Sequence, residues 1–157
     1  MPFSPKARSN EGQICNPENT QGGYCNLLGE SLYTQIEKTT MMIESPAAHG
    51  SGTIVNRKGN LYTIVTAAHV VAGISPAEWS DYGVIDSENN WNEIKEIEIH
   101  ESKDIALVMF SSNRDYPVAP IGDLNEEIIL GGKVGVFGYP LKIRGDGLES
   151  LCKQKDF

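Results

Sequence analysis

The sequence predicts an all-β domain, a sandwich or barrel rather than a stack of βαβ units. Two observations carry this reading: the β-branched and aromatic runs are short, and turn signals separate them at close intervals. No internal repeat or low-complexity tract competes with it. At 157 residues and 17.2 kDa the chain is enough for one compact domain or two very small ones.

Taken in order, residues 1–31 read as a loose N-terminal arm. Pro2, Pro5 and Pro17 and Gly12, Gly22, Gly23 and Gly29 punctuate it, and large apolar residues are few. Apolar residues at Leu32, Tyr33, Ile36, Met41, Met42 and Ile43 predict a short helical turn passing into a strand. Thr53-Ile54-Val55 and Leu61 to Thr66 are strand runs on either side of Asn56-Arg57-Lys58-Gly59-Asn60. A glycine among polar residues there predicts a hairpin, because glycine accepts the positive φ of a tight turn. Further strands are predicted at Tyr82–Asp86, Trp91–Ile99, Asp104–Phe110 and Lys133–Phe137, with Glu88-Asn89-Asn90 turning between the first two. In Trp91–Ile99 the alternation slips between Ile94 and Ile97.

Charge and composition exclude several functions. Thirteen Lys and Arg against 21 Asp and Glu give a formal charge of −8. That disfavours a duplex nucleic-acid binder, which needs a basic face to displace counterions, and gives no support to a polybasic membrane anchor. No stretch approaches the roughly 20 apolar residues of a membrane span. Lys6 and Arg8 precede no apolar run, so no signal peptide is read. Cys15, Cys25 and Cys152 form no C-x-x-C pair, which argues against a structural zinc site or a thioredoxin-type motif. Cys15 and Cys25 bracket a polar, Gly-rich loop. They would suit a local disulfide and an exported protein, or all three thiols stand unconnected.

Candidate chemistry centres on two residues. His69 follows the strand Leu61–Thr66 and two small residues, Ala67 and Ala68. A histidine at the end of a buried strand is fixed by the core while its ring stays open, which suits a general base. On position alone, such a histidine is more often a satisfied core residue. Asp104 stands at the mouth of the apolar run Ile105 to Phe110, where it must be solvated or paired. It could orient a histidine by accepting from Nδ1. A metal-binding β-domain using His49, His69 and His100 is the weakest class, since no pair has ligand-type spacing. His100 reads as a strand-end residue near Asp104, and His49 as a solvent-facing loop residue.

Thr66-Ala67-Ala68-His69-Val70-Val71, preceded by Gly50-Ser51-Gly52-Thr53-Ile54-Val55, resembles the histidine region of chymotrypsin-like (trypsin-like) serine peptidases, the bacterial members in particular. Asp104-Ile105-Ala106-Leu107-Val108 resembles the same family's aspartate motif, 35 residues (104 − 69) further on. Gly131 to Pro140 resembles the strand that begins the second barrel. The likeness implies a chymotrypsin-like antiparallel β-barrel over residues 32–122, carrying His and Asp. It also implies the start of a second barrel, with an irregular tail, over 123–157. It implies His69 as general base, Asp104 as its orienting partner, protein or peptide substrates, no cofactor, no metal and, by analogy, export to the periplasm or outside the cell.

The same likeness implies a nucleophilic serine in a G-x-S-G-G segment downstream of Asp104. None occurs among the 53 residues (157 − 104) that follow it. Ser51 is the one serine followed by glycine, and it lies upstream of His69. Ser150 and Cys152 lack the glycines that let backbone amides converge on an oxyanion. The expectation is a base and orienter with no nucleophile, hence no endopeptidase activity from these residues alone. A non-catalytic pseudo-peptidase acting as a protein-binding module is the alternative. The expectation is that a barrel face left open aggregates, self-associates or captures a partner, or that the tail from Leu141 to Phe157 is disordered; that tail shows no strand pattern. A frameshift or an incomplete piece of a two-barrel protein would account for that ending.

Overall fold

The computed structural model describes residues 14–15, 30–46, 49–123, 125, 136–139 and 149–151. Helix α1 (Glu30–Thr39) runs directly into strand β2 (Thr40–Glu44), as the apolar spacing predicts. Two threonines end the helix: the hydroxyls of Thr39 and Thr40 both donate to the Ile36 carbonyl, at 3.0 and 2.7 Å. A last-turn carbonyl is thereby satisfied as the chain turns extended.

Strands β3 (His49–Lys58), β4 (Leu61–Thr66), β5 (Gly83–Ile85), β6 (Trp91–Ile99) and β7 (Ala106–Ser111) join β2 in a closed antiparallel barrel of order β2-β3-β4-β7-β6-β5. Closure comes from the short strand β5 pairing β2, with Met42 opposite Ile85 and Ile43 opposite Val84. Strict alternation fills the interior: Tyr62, Ile64 and Thr66 of β4 and Ala106, Val108 and Phe110 of β7 point inward, while their neighbours face out. Met41, Ile43, Ile54, Val84 and Ile94 complete the core. Tyr62 stacks on Phe110 at 5.3 Å between centroids, and Tyr116 meets both rings edge-on.

The strand predictions hold with shifted ends where the residues are described; of Lys133–Phe137, residues 133–135 lie outside the described residues and Val136 and Phe137 are strand. The hairpin turn is only Gly59-Asn60: Asn56, Arg57 and Lys58 continue β3, paired with Thr63, Tyr62 and Leu61. Gly59 supplies the expected positive φ, 65°. Polar side chains at 56–58 suggested a longer loop, but they lie on the exposed end of a strand. A bulge between Ile94 and Glu96 explains the slipped alternation in β6, because one extra residue returns Ile97 to the core side. Asn89 takes φ 64° in the turn before Trp91, as placed by sequence. Asp104 does not open β7; it lies two residues before it, in the connecting loop. His49 is the first residue of β3 and half-buried, not a loop residue.

Outside the barrel, β1 (Ile14–Cys15), β8 (Val136–Gly138) and β9 (Glu149–Leu151) form a small antiparallel sheet of order β1-β9-β8. The expectation of no strand beyond Leu141 is therefore corrected, and part of the N-terminal arm is strand. The candidate Cys15–Cys25 bridge lies outside the described side chains.

A buried polar cluster sits among the core aromatics. Asp86, 5% exposed, accepts from the backbone of Glu88 and Asn90, from the Asn90 amide and from the Tyr116 hydroxyl. Burial pushes its carboxyl up, but these donors together hold it below the ordinary carboxylate value. Glu44 ties β2 to β5 and to the strand beyond it, β6, accepting from Gly83 N at 2.9 Å and Trp91 Nε1 at 2.8 Å.

Candidate active site

The pairing register brings His69 and Asp104 together. Thr66 opposite Ala106 is the last rung between β4 and β7. Past it, β4 passes through Ala67 into the single helical turn α2 (Ala68–Val71), while β7 is approached through Asp104 and Ile105. Residues two or three beyond one rung on adjacent strands must lie side by side. Buried Ala68 and Val71 anchor α2 to the core, leaving His69 on its outer face. Gly50 of β3 makes room for the turn, since a Cβ there would overlap the Val70 Cγ1 methyl and lie 2.7 Å from Cγ2.

Asp104 grips His69 twice. Oδ1 accepts the His69 backbone N–H at 2.9 Å, and Oδ2 lies 2.7 Å from Nδ1. The backbone contact satisfies a donor in the first turn of α2 that would otherwise have no partner. The backbone and ring hydrogen bonds from His69 hold the Asp104 carboxyl below its ordinary value. Both side chains are open to solvent, His69 at 74% and Asp104 at 58%, so Asp104 is both solvated and paired. The loop carrying it is shaped locally: His100 N donates to the Ile105 carbonyl at 2.9 Å, and Ser102 N donates to His100 Nδ1 at 3.1 Å. His100 thus stands at the strand end near Asp104, as read from sequence. Neither it nor His49 joins His69 in a metal-binding group among the described residues.

Ser51 has a role that sequence reasoning missed. Its carbonyl accepts from Thr66 Oγ1 at 2.8 Å, three residues before His69, and its hydroxyl accepts from Tyr139 N at 2.6 Å. It therefore pins the chain after β8 onto the barrel, across 88 positions of sequence. A signal was present in Gly138, next to Tyr139, where a Cβ would lie 3.1 Å from Ser51 Oγ, so that a glycine lets the chain come close. Tyr139 itself is buried, and its hydroxyl finds no partner among the described residues. Burial, then the carboxylates of Asp86 and Glu37, push that hydroxyl's pKa up.

A base held by a carboxylate at the end of a six-stranded barrel can take a proton from a nucleophile and keep the resulting charge. Among the described residues no helix is long and apolar enough to cross a membrane. Solved structures of similar shape include the Rv3671c protease of M. tuberculosis. Its inactive form matches with a TM-score of 0.56 and 21% identity, over 87% of this chain and 59% of that one. Its active form gives 0.52 and 20%, over 90% and 56%. A serine-to-alanine mutant from strain H37Rv gives 0.54 and 22%, over 82% and 54%. At these identities the likeness concerns the fold, and the chain spans little more than half the length of those proteins. No curated protein matches the chain. A model of the trypsin-like peptidase domain matches residues 50–154, well over half of the sequence, and the chain belongs to that family.

Proposed function

We propose that His69 and Asp104 are the general base and orienting partner of a trypsin-like serine endopeptidase acting on protein or peptide substrates. The observation that carries the reading is the double contact from Asp104, 2.9 Å to the backbone and 2.7 Å to Nδ1 of His69. An ionised carboxylate only accepts, so Nδ1 carries the ring proton and Nε2 presents its lone pair outward. In acyl transfer Nε2 takes the hydroxyl proton of an attacking serine and later returns it to the leaving amine. Asp104 stays ionised and stabilises the imidazolium formed between those steps.

The 157 residues contain no G-x-S-G-G segment to supply that serine and its oxyanion amides. By themselves they are expected to hydrolyse no peptide bond. The test is incubation of the chain with chromogenic peptides carrying basic, aromatic and small residues before the cut bond. No release above buffer is expected. Release abolished by His69→Ala would overturn the claim of inactivity.

A further inference from the structure

We infer that the dyad makes His69 Nε2 an acyl acceptor in its own right, turning over activated aryl esters with no serine involved. This rests on the proposed dyad and extends it to a different nucleophile and substrate class. The His69 side chain is 74% exposed, and no partner of Nε2 is found among the described residues. With Nδ1 held by Asp104, the outward nitrogen is the one with the free lone pair. The structure separates this ring from its neighbour. His100 Nδ1 accepts from Ser102 N, so a neutral His100 carries its proton on Nε2 and has no free lone pair to offer.

The chemistry balances with water as the only co-reactant. The Nε2 lone pair attacks the ester carbonyl carbon, forming an N–C bond. The C–O bond to the aryl group breaks, and its electron pair leaves on the aryloxide. The acylated ring, protonated at Nδ1, is an acylimidazolium whose charge faces Asp104. Water then adds to the acyl carbon, the C–N bond breaks back to Nε2, both protons of that water pass to solvent and the carboxylate departs. Only an ester whose leaving group departs without protonation suits such a site, because no oxyanion donors or general acid accompany it among the described residues. Amides are excluded for the same reason.

The test is p-nitrophenyl acetate turnover by the full 157-residue chain, with the acetyl adduct located by mass spectrometry of a quenched sample. Turnover and a His69 adduct are expected in the parent and in His100→Gln. Both should vanish in His69→Gln. In Asp104→Asn turnover should fall by about tenfold or more, because the amide donates to Nδ1 and moves the ring proton to Nε2. Turnover that survives His69→Gln, or is unaffected by Asp104→Asn, overturns the inference. Proton NMR of the His69 ring separates the two claims. An Asp104-dependent Nδ1 proton with no turnover sinks the esterase and spares the dyad, whereas absence of that proton removes both.

Discussion

Replacing Gly52 with alanine should destabilise the barrel although it adds a single methyl group. An ideal Cβ at Gly52 would overlap the Ile64 Cγ2 methyl, lie 2.9 Å from Ile43 Cδ1 and lie 3.0 Å from the Val65 carbonyl oxygen. Ile43 and Ile64 are fully buried, and the third neighbour is backbone in a paired strand, so none can yield cheaply. Overpacking of this kind costs about 1–3 kcal/mol. Reduced freedom of the unfolded chain offsets roughly 0.4–1 kcal/mol of that. The net expectation is a loss of about 1–2 kcal/mol, read as a lower urea midpoint at unchanged slope by circular dichroism. Gly52→Ala with Ile64→Leu should recover part of the loss, since leucine carries no branch methyl at Cβ. Gly59→Asn provides the contrast: open space surrounds that turn and asparagine tolerates φ near 65°, so the change should be small. A Gly52→Ala protein as stable as the parent would refute the packing argument.

Four further outcomes follow from the same geometry. Asp86→Ala leaves the Tyr116 hydroxyl and two backbone donors without their acceptor and should cost about 3 kcal/mol in urea titration. Tyr139→Phe removes a buried hydroxyl with no partner among the described residues and should be neutral or stabilising by about 1 kcal/mol; a clear loss of stability would show that the hydroxyl is bonded after all. Ser51→Ala removes the acceptor for Tyr139 N and should raise amide exchange at Tyr139 while leaving exchange in β7 unchanged. Asp86 and Asp104 are both held below the ordinary value of 3.8, so each contributes stability in full above that pH and loses it as pH falls through the lower folded value. Stability should therefore be flat in these groups above about pH 5 and decline below about pH 4, a decline weakened in Asp86→Asn.

The barrel was legible because its inward positions obey a period of two. Tyr62-Ile64-Thr66 and Ala106-Val108-Phe110 announce two half-buried strands without help from any other residue. Ile94 and Ile97 look irregular in one dimension because the bulge that reconciles them exists only against the facing strand β7. Polar Asn56 to Lys58 look like turn in the sequence because local chemistry cannot distinguish a loop from a strand end projecting into solvent. His69 and Asp104 were legible through their motifs. Their contact, however, depends on Thr66 standing opposite Ala106, a register that sequence spacing does not state. Glu44, Gly83 and Trp91 form one closure contact from three separate segments, and nothing local to any of them announces the other two.

The central claim is that Asp104 holds His69 with its proton on Nδ1 and its lone pair outward. Two-dimensional ¹H–¹⁵N NMR of the imidazole ring, recorded on the parent and on Asp104→Asn, reads that state directly. The account predicts a protonated Nδ1 with a downfield, exchange-protected proton and an unprotonated Nε2 in the parent. In Asp104→Asn the proton should move to Nε2. A His69 ring with its proton already on Nε2 in the parent, or one indifferent to the Asp104 change, would contradict the account.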